Sequence, residues 1–599
     1  MTAKERSLRE IMQGDKRFQI PFFQRQYVWN KENWEELLDN LLSDGHGHFL
    51  GSIILKPAKH SLDGIVWTVI DGQQRLTTLS VLFKVCHEVI CAHDLTPEER
   101  AYYDNPLTDI LYAVTKSGKD LKLHHSRADA GAFNKIMLKA ATEMMSCQIQ
   151  KCYEFFTKWF GSDAMCGAEK AERIFEILSG SEKLLVAIEL EEDENEQIIF
   201  DTINSAGVRL TSADTIKNYL FQRLMSLVLD ETVVKKLYDE TWDRAFAKTA
   251  EASEYWLSEK RQGRITRTAQ ENMLQCFAVV KGIYDPNKHS VVDLVKCFKE
   301  YAEKLDKEGL RELILELTRH ALLYRKFFRT LDATTWYRFD DVCLRTLHIL
   351  RLCDTTTFDP LILHLISIDP PKDDGTISEA LAVHLNEIAS FVLRHVVCHA
   401  SVKNFNKDCA VIIHGGKTLG EYREEKIKAL NIDDNSVRRH LQEIYSNKIA
   451  TGILFWLELK RRKECPHEMK EEQYTKTLEH LMPQTWKECW NVGHPCVVDP
   501  ETGERVLDND RAMELRKAAI YEIGNMALLS KSLNSSIKNG AMKTKIEGDG
   551  GKHHGIKEYA TMLYTKDVIN RMIATDYVWN EGTIRERTVK ITDAFLKIW

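Results

Sequence analysis

Residues 65–79 read IVWTVIDGQQRLTTL, and this stretch decides the architecture of the N-terminal part of the chain. Ile65 to Ile70 are apolar or β-branched and form a strand. Asp71-Gly72 stops it, and from Leu76 to Ile90 apolar residues recur at helical spacing. A strand, a glycine turn and a helix start leave backbone N–H groups at the turn, where they attract phosphate. Arg75 and Thr77 lie in the first turns and are placed to reach the same anion, and Asp71 to hold a metal ion or a water. The plainer reading makes Asp71 a cap and Arg75 a surface residue. No G-x-x-x-x-G-K-[ST] occurs, which excludes an ordinary P-loop.

Working outward, FLGSIIL (49–55) and LLVAIEL (184–190) read as further strands, and Thr211–Leu224 as a helix. From 91 to 180 the pattern is mostly helical, with a looser polar stretch near 114–131. IPFFQRQYVW (20–29) is rich in aromatics. Tyr27, Trp29 and Trp34 have the chemistry to stack on a base, but such residues beside an amphipathic helix are more often core. Asn204 and Gly207 flank a turn, and Asp214, Lys217 and Asn218 recur on one helical face, as a nucleotide site would use them. Helical patterns dominate from 230 to 460, broken by the loop Asp369–Gly375. The expected domains are 1–230, a helical middle of 231–384, and 385–599.

The C-terminal part carries a second constellation. LEHLMPQ (478–484) is followed by Asn525 in IGNMALL (523–529) and by Asn534. Hydrolysing a phosphodiester needs a base for water and a cation opposite the developing charge. His480 is the candidate base, because its ordinary pKa lies near neutrality. Glu479 and Asn534 offer hard oxygen ligands for Mg²⁺ or Mn²⁺, and Asn525 is placed to fix His480. Lys531, Lys538, Lys543 and Lys545 supply positive charge for a DNA backbone. Neighbours on a strand face opposite ways, so Glu479 and His480 are expected at a bend if both act. KTKIEGDGGKHHGIK (543–557) reads as a flexible or substrate-facing loop.

Composition sets the limits. A chain of 599 residues suggests about four domains. The net charge of -7 confines any nucleic-acid surface to a local patch. No apolar run approaches the length of a transmembrane helix, and Met1–Ile11 has no secretory h-region. The 14 cysteines include no C-x-x-C pair, which argues against a zinc knuckle and a secreted disulfide scaffold and fits a reducing cytoplasm.

FQRQYVW, DGQQRLTTL and FDTINSAGVRLTSADTIKNYLF resemble the N-terminal domain of GmrSD-type, modification-dependent (type IV) restriction endonucleases. LEHLMPQTW, IGNMALLSKSLNSSIKN and WNEGTIRERTVKITDAFLKIW resemble that family's C-terminal nuclease domain. The resemblance implies an α+β multidomain chain. Its N-terminal ParB/sulfiredoxin-like α/β domain would bind and hydrolyse ATP or GTP. The middle is largely helical, and the C-terminal helical domain would contain an HNH, ββα-metal nuclease. It assigns nucleotide binding to Gln24, Arg25, Asp71, Gly72, Gln73, Gln74, Arg75, Thr77, Asn204, Asp214 and Lys217, with Asp71 and Arg75 also catalytic. It makes His480 and Asn525 catalytic and Glu479 and Asn534 metal ligands. Glu479 stands where Asp is usual and Asn534 where His is usual, and both keep an oxygen donor. The implied partners are nucleoside triphosphate and double-stranded phage DNA carrying modified cytosines, with no membrane and a homodimer as an option. Phosphorothioate sensing, nicking by an oligomer, and an NTP-dependent DNA-binding regulatory module are the alternatives.

Overall fold

A computed structural model describes residues 2–14, 16–43, 49–61, 64–115, 118–125, 127–138, 147–161, 167–180, 182–191, 211–228, 230–262, 265–401, 405–490, 497–537, 539–551 and 554–599. Asn204, Gly207 and Lys538 lie outside these residues. The chain folds as two compact units, Met1–Asp239 and Glu240–Trp599.

The first unit is built on a mixed sheet of six strands: β1 (Thr2–Arg6), β2 (Lys16–Gln19), β3 (Ser52–Ser61), β4 (Gly64–Asp71), β5 (Leu123–His124) and β6 (Leu185–Glu189). Their spatial order is β1-β6-β3-β4-β2-β5. β3 and β4 form an antiparallel hairpin, while β2 runs parallel to both β4 and β5. From β4 the chain turns straight into α1 (Gln73–Cys91), followed by α2 (Pro97–Leu111) and α3 (Gln148–Gly161). α1 is apolar around most of its circumference because it lies inside the unit, against α2, α3 and the helix Gly167–Ser179. Its buried hydroxyls turn back on the helix: Thr77, Thr78 and Ser80 donate to the carbonyls of Gln73, Gln74 and Leu76 at 2.7–2.8 Å. α4 (Ser212–Val228) and the short helix Glu231–Tyr238 close this unit.

The sequence-based strands and helices in this unit are observed, with shifted ends. β3 begins at Ser52 rather than Phe49, because Gly51 holds a φ of +111°. The polar stretch 114–131 contains short strands, Tyr112–Thr115 paired with Gly118–Leu121 and then β5. Tyr27 and Trp34 are core, 3% and 4% exposed.

The second unit is mainly helical from Glu240 onward. Its helix α5 (Glu379–Val397) runs through the position expected as a domain boundary. α5 is long and apolar enough to cross a membrane by length and composition, but 61% of its apolar window is buried inside the unit, as in a core helix. α6 (Asn447–Glu464) packs on β7 (Thr477–His480) and β8 (Met526–Leu529). These two strands pair antiparallel, with Glu479 opposite Ala527 and His480 opposite Met526. α7 (Lys531–Ile537), α8 (Met542–Glu547) and the C-terminal α9 (Glu581–Leu596) complete the site region. The stretch 543–557 is thus not one open loop: its start is helical, and Lys545 is fully buried.

Candidate functional site

In the first unit, Gly72 makes the turn from β4 into α1. Its φ is +90°, and a Cβ there would sit 2.5 Å from Cγ2 of Ile53. Only glycine fits both the backbone and the space. Arg75 lies back over Gly51 and donates to Ser52 O at 3.0 Å, tying the helix start to β3. Gln74 staples the aromatic segment: Oε1 accepts from Val28 N at 2.9 Å and Trp29 N at 3.3 Å, and Nε2 donates to Gln26 O at 3.2 Å. Thr77 is fully buried, its hydroxyl 2.7 Å from His125 Nε2.

Gln24 Nε2 donates to Val69 O at 2.7 Å and Ile70 O at 3.2 Å, which fixes its amide and leaves Oε1 buried without a partner among the described residues. Gln73, only 8% exposed, likewise has an unpartnered Oε1. α4 brings an ion pair to the same segment. Lys217 Nζ lies 3.0 Å from Asp214 Oδ1, and Thr211 donates to Oδ2 at 3.0 Å. Burial pushes the Asp214 carboxyl up, but Lys217, Thr211 and Arg25 together hold it below its ordinary value. Burial lowers the Arg25 guanidinium against the pull of Asp214 and Asp71. The fold therefore gathers Gln24, Arg25, Asp71, Gln73, Asp214 and Lys217 about one place. Gln74, Arg75 and Thr77 serve the scaffold around it. His125 and Asp129 behind Thr77 have no counterpart in the sequence reading. Burial drives the His125 imidazole down to about 3 and the Asp129 carboxyl up to about 6.

In the second unit, β7, β8 and α7 form a β-β-α arrangement around Glu479, His480 and Asn534. Both Glu479 and His480 sit in the regular ladder. The chain leaves it only at Leu481, so the bend expected at Glu479 and His480 does not fall on them, and their side chains leave opposite faces of β7. Asn525 causes this exit. Its carbonyl accepts from Leu481 N at 2.8 Å, and its side chain accepts from Met482 N at 2.7 Å and donates to Met482 O at 2.9 Å. It also bonds Ile520 O and Trp579 Nε1, at 3.1 Å each. Asn525 is wholly buried and holds the segment after His480.

The C-terminal helix explains why its sequence belongs to this site. Arg585 pairs bidentately with Glu522, Thr588 donates to Glu522, and Arg587 donates to Met526 O at 2.7 Å. Gly524 lies so close to α9 that a Cβ would meet Ile584 O at 2.2 Å and Thr588 Oγ1 at 2.4 Å. Gly524→Ala is therefore expected to destabilise the second unit by about 1–3 kcal/mol, read as a lower urea midpoint at unchanged slope.

Asn534 donates both amide hydrogens, to Thr477 Oγ1 and Leu478 O at 2.9 Å each, which leaves its oxygen to ligate. The Glu479 carboxylate pairs with Lys545, which also donates to His480 O at 2.9 Å. Lys545 was expected at a DNA phosphate. It is instead a buried cation at the site, 0% exposed, set between Met542 and Ile546 of the apolar side of α8. Burial pushes the His480 imidazole down to about 4, with Lys545 adding to the shift. Burial raises the Glu479 carboxyl, and Lys545 pulls against it. His480 Nε2 is buried with no hydrogen-bond partner among the described residues. Beside β7 a groove of about 610 Å³ opens, lined by Thr475, Lys476, Ser530, Lys531, Ser532 and Ser535. Lys543 lies over the Tyr577 ring.

The chain thus has mixed α and β structure, with a strand-glycine-helix turn in one unit and a β-β-α arrangement in the other. Residues 8–221 match the model of the GmrSD restriction endonuclease N-terminal domain, and residues 431–594 match that of the GmrSD restriction endonuclease C-terminal domain. The chain belongs to the GmrSD restriction endonuclease family. A type IV restriction nuclease role and DNA as a partner follow from that membership. No curated protein matches the chain.

Proposed function

We propose that the chain is a nucleotide-regulated, divalent-metal-dependent endonuclease that cuts phage DNA carrying modified cytosines, with an HNH-type site in the second unit and a ParB/sulfiredoxin-like NTPase in the first. The observation that carries the reading is the β-β-α arrangement of β7, β8 and α7, which holds His480 and Glu479 on one strand and fixes the Asn534 amide against it. Glu479 and Asn534 fit a hard cation, which takes one or two protein oxygens and completes its shell with water and phosphate. When bound, that cation supplies charge stabilisation at the scissile phosphate. With Nε2 sealed inside the unit, His480 Nδ1 takes the proton of the attacking water. Asn525 holds the segment after His480 in place, and the groove with Lys476 and Lys531 receives the strand backbone.

In the first unit, Arg25 and Lys217 supply charge for phosphates. The unpartnered Gln24 and Gln73 oxygens call for hydrogen donors, which ribose or base amino groups provide. Arg25→Ala is expected to weaken triphosphate binding by about tenfold, the usual worth of one charge-assisted contact. Equal affinities in a titration with labelled ATP and GTP would remove Arg25 from the site.

The deciding experiment compares two matched phage DNAs, one with glucosylated hydroxymethylcytosine and one unmodified, with Mg²⁺ or Mn²⁺ and with or without ATP or GTP. Cutting confined to the modified DNA is the expected result. Cutting of both, or of neither, favours phosphorothioate sensing or a binding module, and phosphorothioated DNA then becomes the substrate to test.

A further inference from the structure

At the far end of α1 from the Gly72 turn, three donors of three kinds converge. His87 Nε2 lies 2.6 Å from Asp104 Oδ1 and 3.5 Å from Cys91 Sγ. His87 and Cys91 are one helical turn apart on the same face of α1. Asp104 comes from α2, which starts at once after the short connection 92–96. Thr96 caps α2 with Glu99, and Pro97 opens its first turn. This start turns α2 back so that Asp104 meets the last turn of α1. About 14 residues of helix, roughly 20 Å, separate the cluster from Gln73, so it is distinct from the candidate nucleotide site.

We propose that His87, Cys91 and Asp104 form a binding site for one Zn²⁺-class ion. Imidazole, thiolate and carboxylate together suit a borderline-soft divalent ion and exclude Mg²⁺ and Ca²⁺. Tetrahedral Zn–N and Zn–S bonds place nitrogen and sulfur about 3.6 Å apart, and the observed separation is 3.5 Å. Nitrogen and oxygen would stand about 3.4 Å apart. The 2.6 Å pair must therefore open when an ion replaces the shared proton. The Asp104 side chain, 42% exposed, has room to swing that far. Thr108 Oγ1, 3.4 Å from Asp104 Oδ1, is placed to orient the carboxylate as an outer partner. The edge of the cluster faces solvent, which leaves the fourth position to water. The ion would pin the end of α1 to α2.

The test uses the whole protein. Titrated with Co²⁺, it should develop one thiolate-to-cobalt charge-transfer band per chain. That band should be lost in Cys91→Ser and His87→Gln and kept in His480→Ala, whose site has no sulfur. In the wild-type protein, Zn²⁺ should also slow alkylation of Cys91, mapped by mass spectrometry, by about tenfold or more, because a metal-bound thiolate is masked. No charge-transfer band, a band that survives Cys91→Ser, or Cys91 alkylation indifferent to Zn²⁺ overturns the proposal.

Discussion

His480→Ala is expected to lower DNA cleavage by roughly 10²–10⁴-fold, the usual contribution of a general base, and to leave triphosphate hydrolysis unchanged. The reason lies in the state of the imidazole. Burial and the nearby Lys545 ammonium push its pKa down to about 4, so it is neutral and able to accept a proton throughout the physiological range. The acid limb of cleavage should then lie near pH 4 and not near the ordinary histidine value of about 6.5. Stability follows the same shift. Between about pH 4 and 6.5 the unfolded chain binds a proton at His480 that the folded chain does not. The contribution of His480 is thus fully present above pH 6.5 and is lost as pH falls towards 4. Rates of cleavage from pH 4 to 8, with urea midpoints over the same range, check both statements. A wild-type limb at pH 6.5, or a variant that cuts at the wild-type rate, would remove His480 as the base.

How much of this was legible in the sequence depended on whether the signal was local. The turn at Asp71-Gly72 and the helix after it were readable because glycine, strand run and helical spacing all fall within a few residues. β1 was not, since its residues TAKER carry no apolar alternation. It is a strand only because an edge of the sheet, β6, is there to pair with it. Among site residues, His480, Glu479 and Asn534 read as types with the right chemistry, and the fold sets Asn534 against the strand that carries the other two. The roles of Gln74 and Thr77 were not legible, because what defines each is a hydrogen bond to a residue 46 or 48 positions away in sequence. Lys545 was misread for a related reason. A lysine among other lysines looks like a phosphate contact until the helix around it, with Met542 and Ile546 buried on either side, shows which way the side chain runs.

Lys545→Met is expected to destabilise the second unit by about 3 kcal/mol, the lower end of what removing one partner of a buried ion pair costs. The side chain of Lys545 is 0% exposed and that of Glu479 14%, so the carboxylate left behind is desolvated with little water to replace the ammonium. His480 O loses its donor in the same step. The double variant Glu479→Gln with Lys545→Met removes the unpaired charge as well. It should recover much of the lost stability and none of the cleavage. The four urea midpoints of that cycle give the coupling directly. Mg²⁺ separates the two roles of Glu479. If its carboxylate is a metal ligand, the ion substitutes for the missing ammonium, and added Mg²⁺ should raise the midpoint of Lys545→Met but not that of the double variant. A Lys545→Met protein as stable as wild type would mean that the pair adds nothing to the fold. Mg²⁺ acting equally on both variants would take Glu479 out of the metal site.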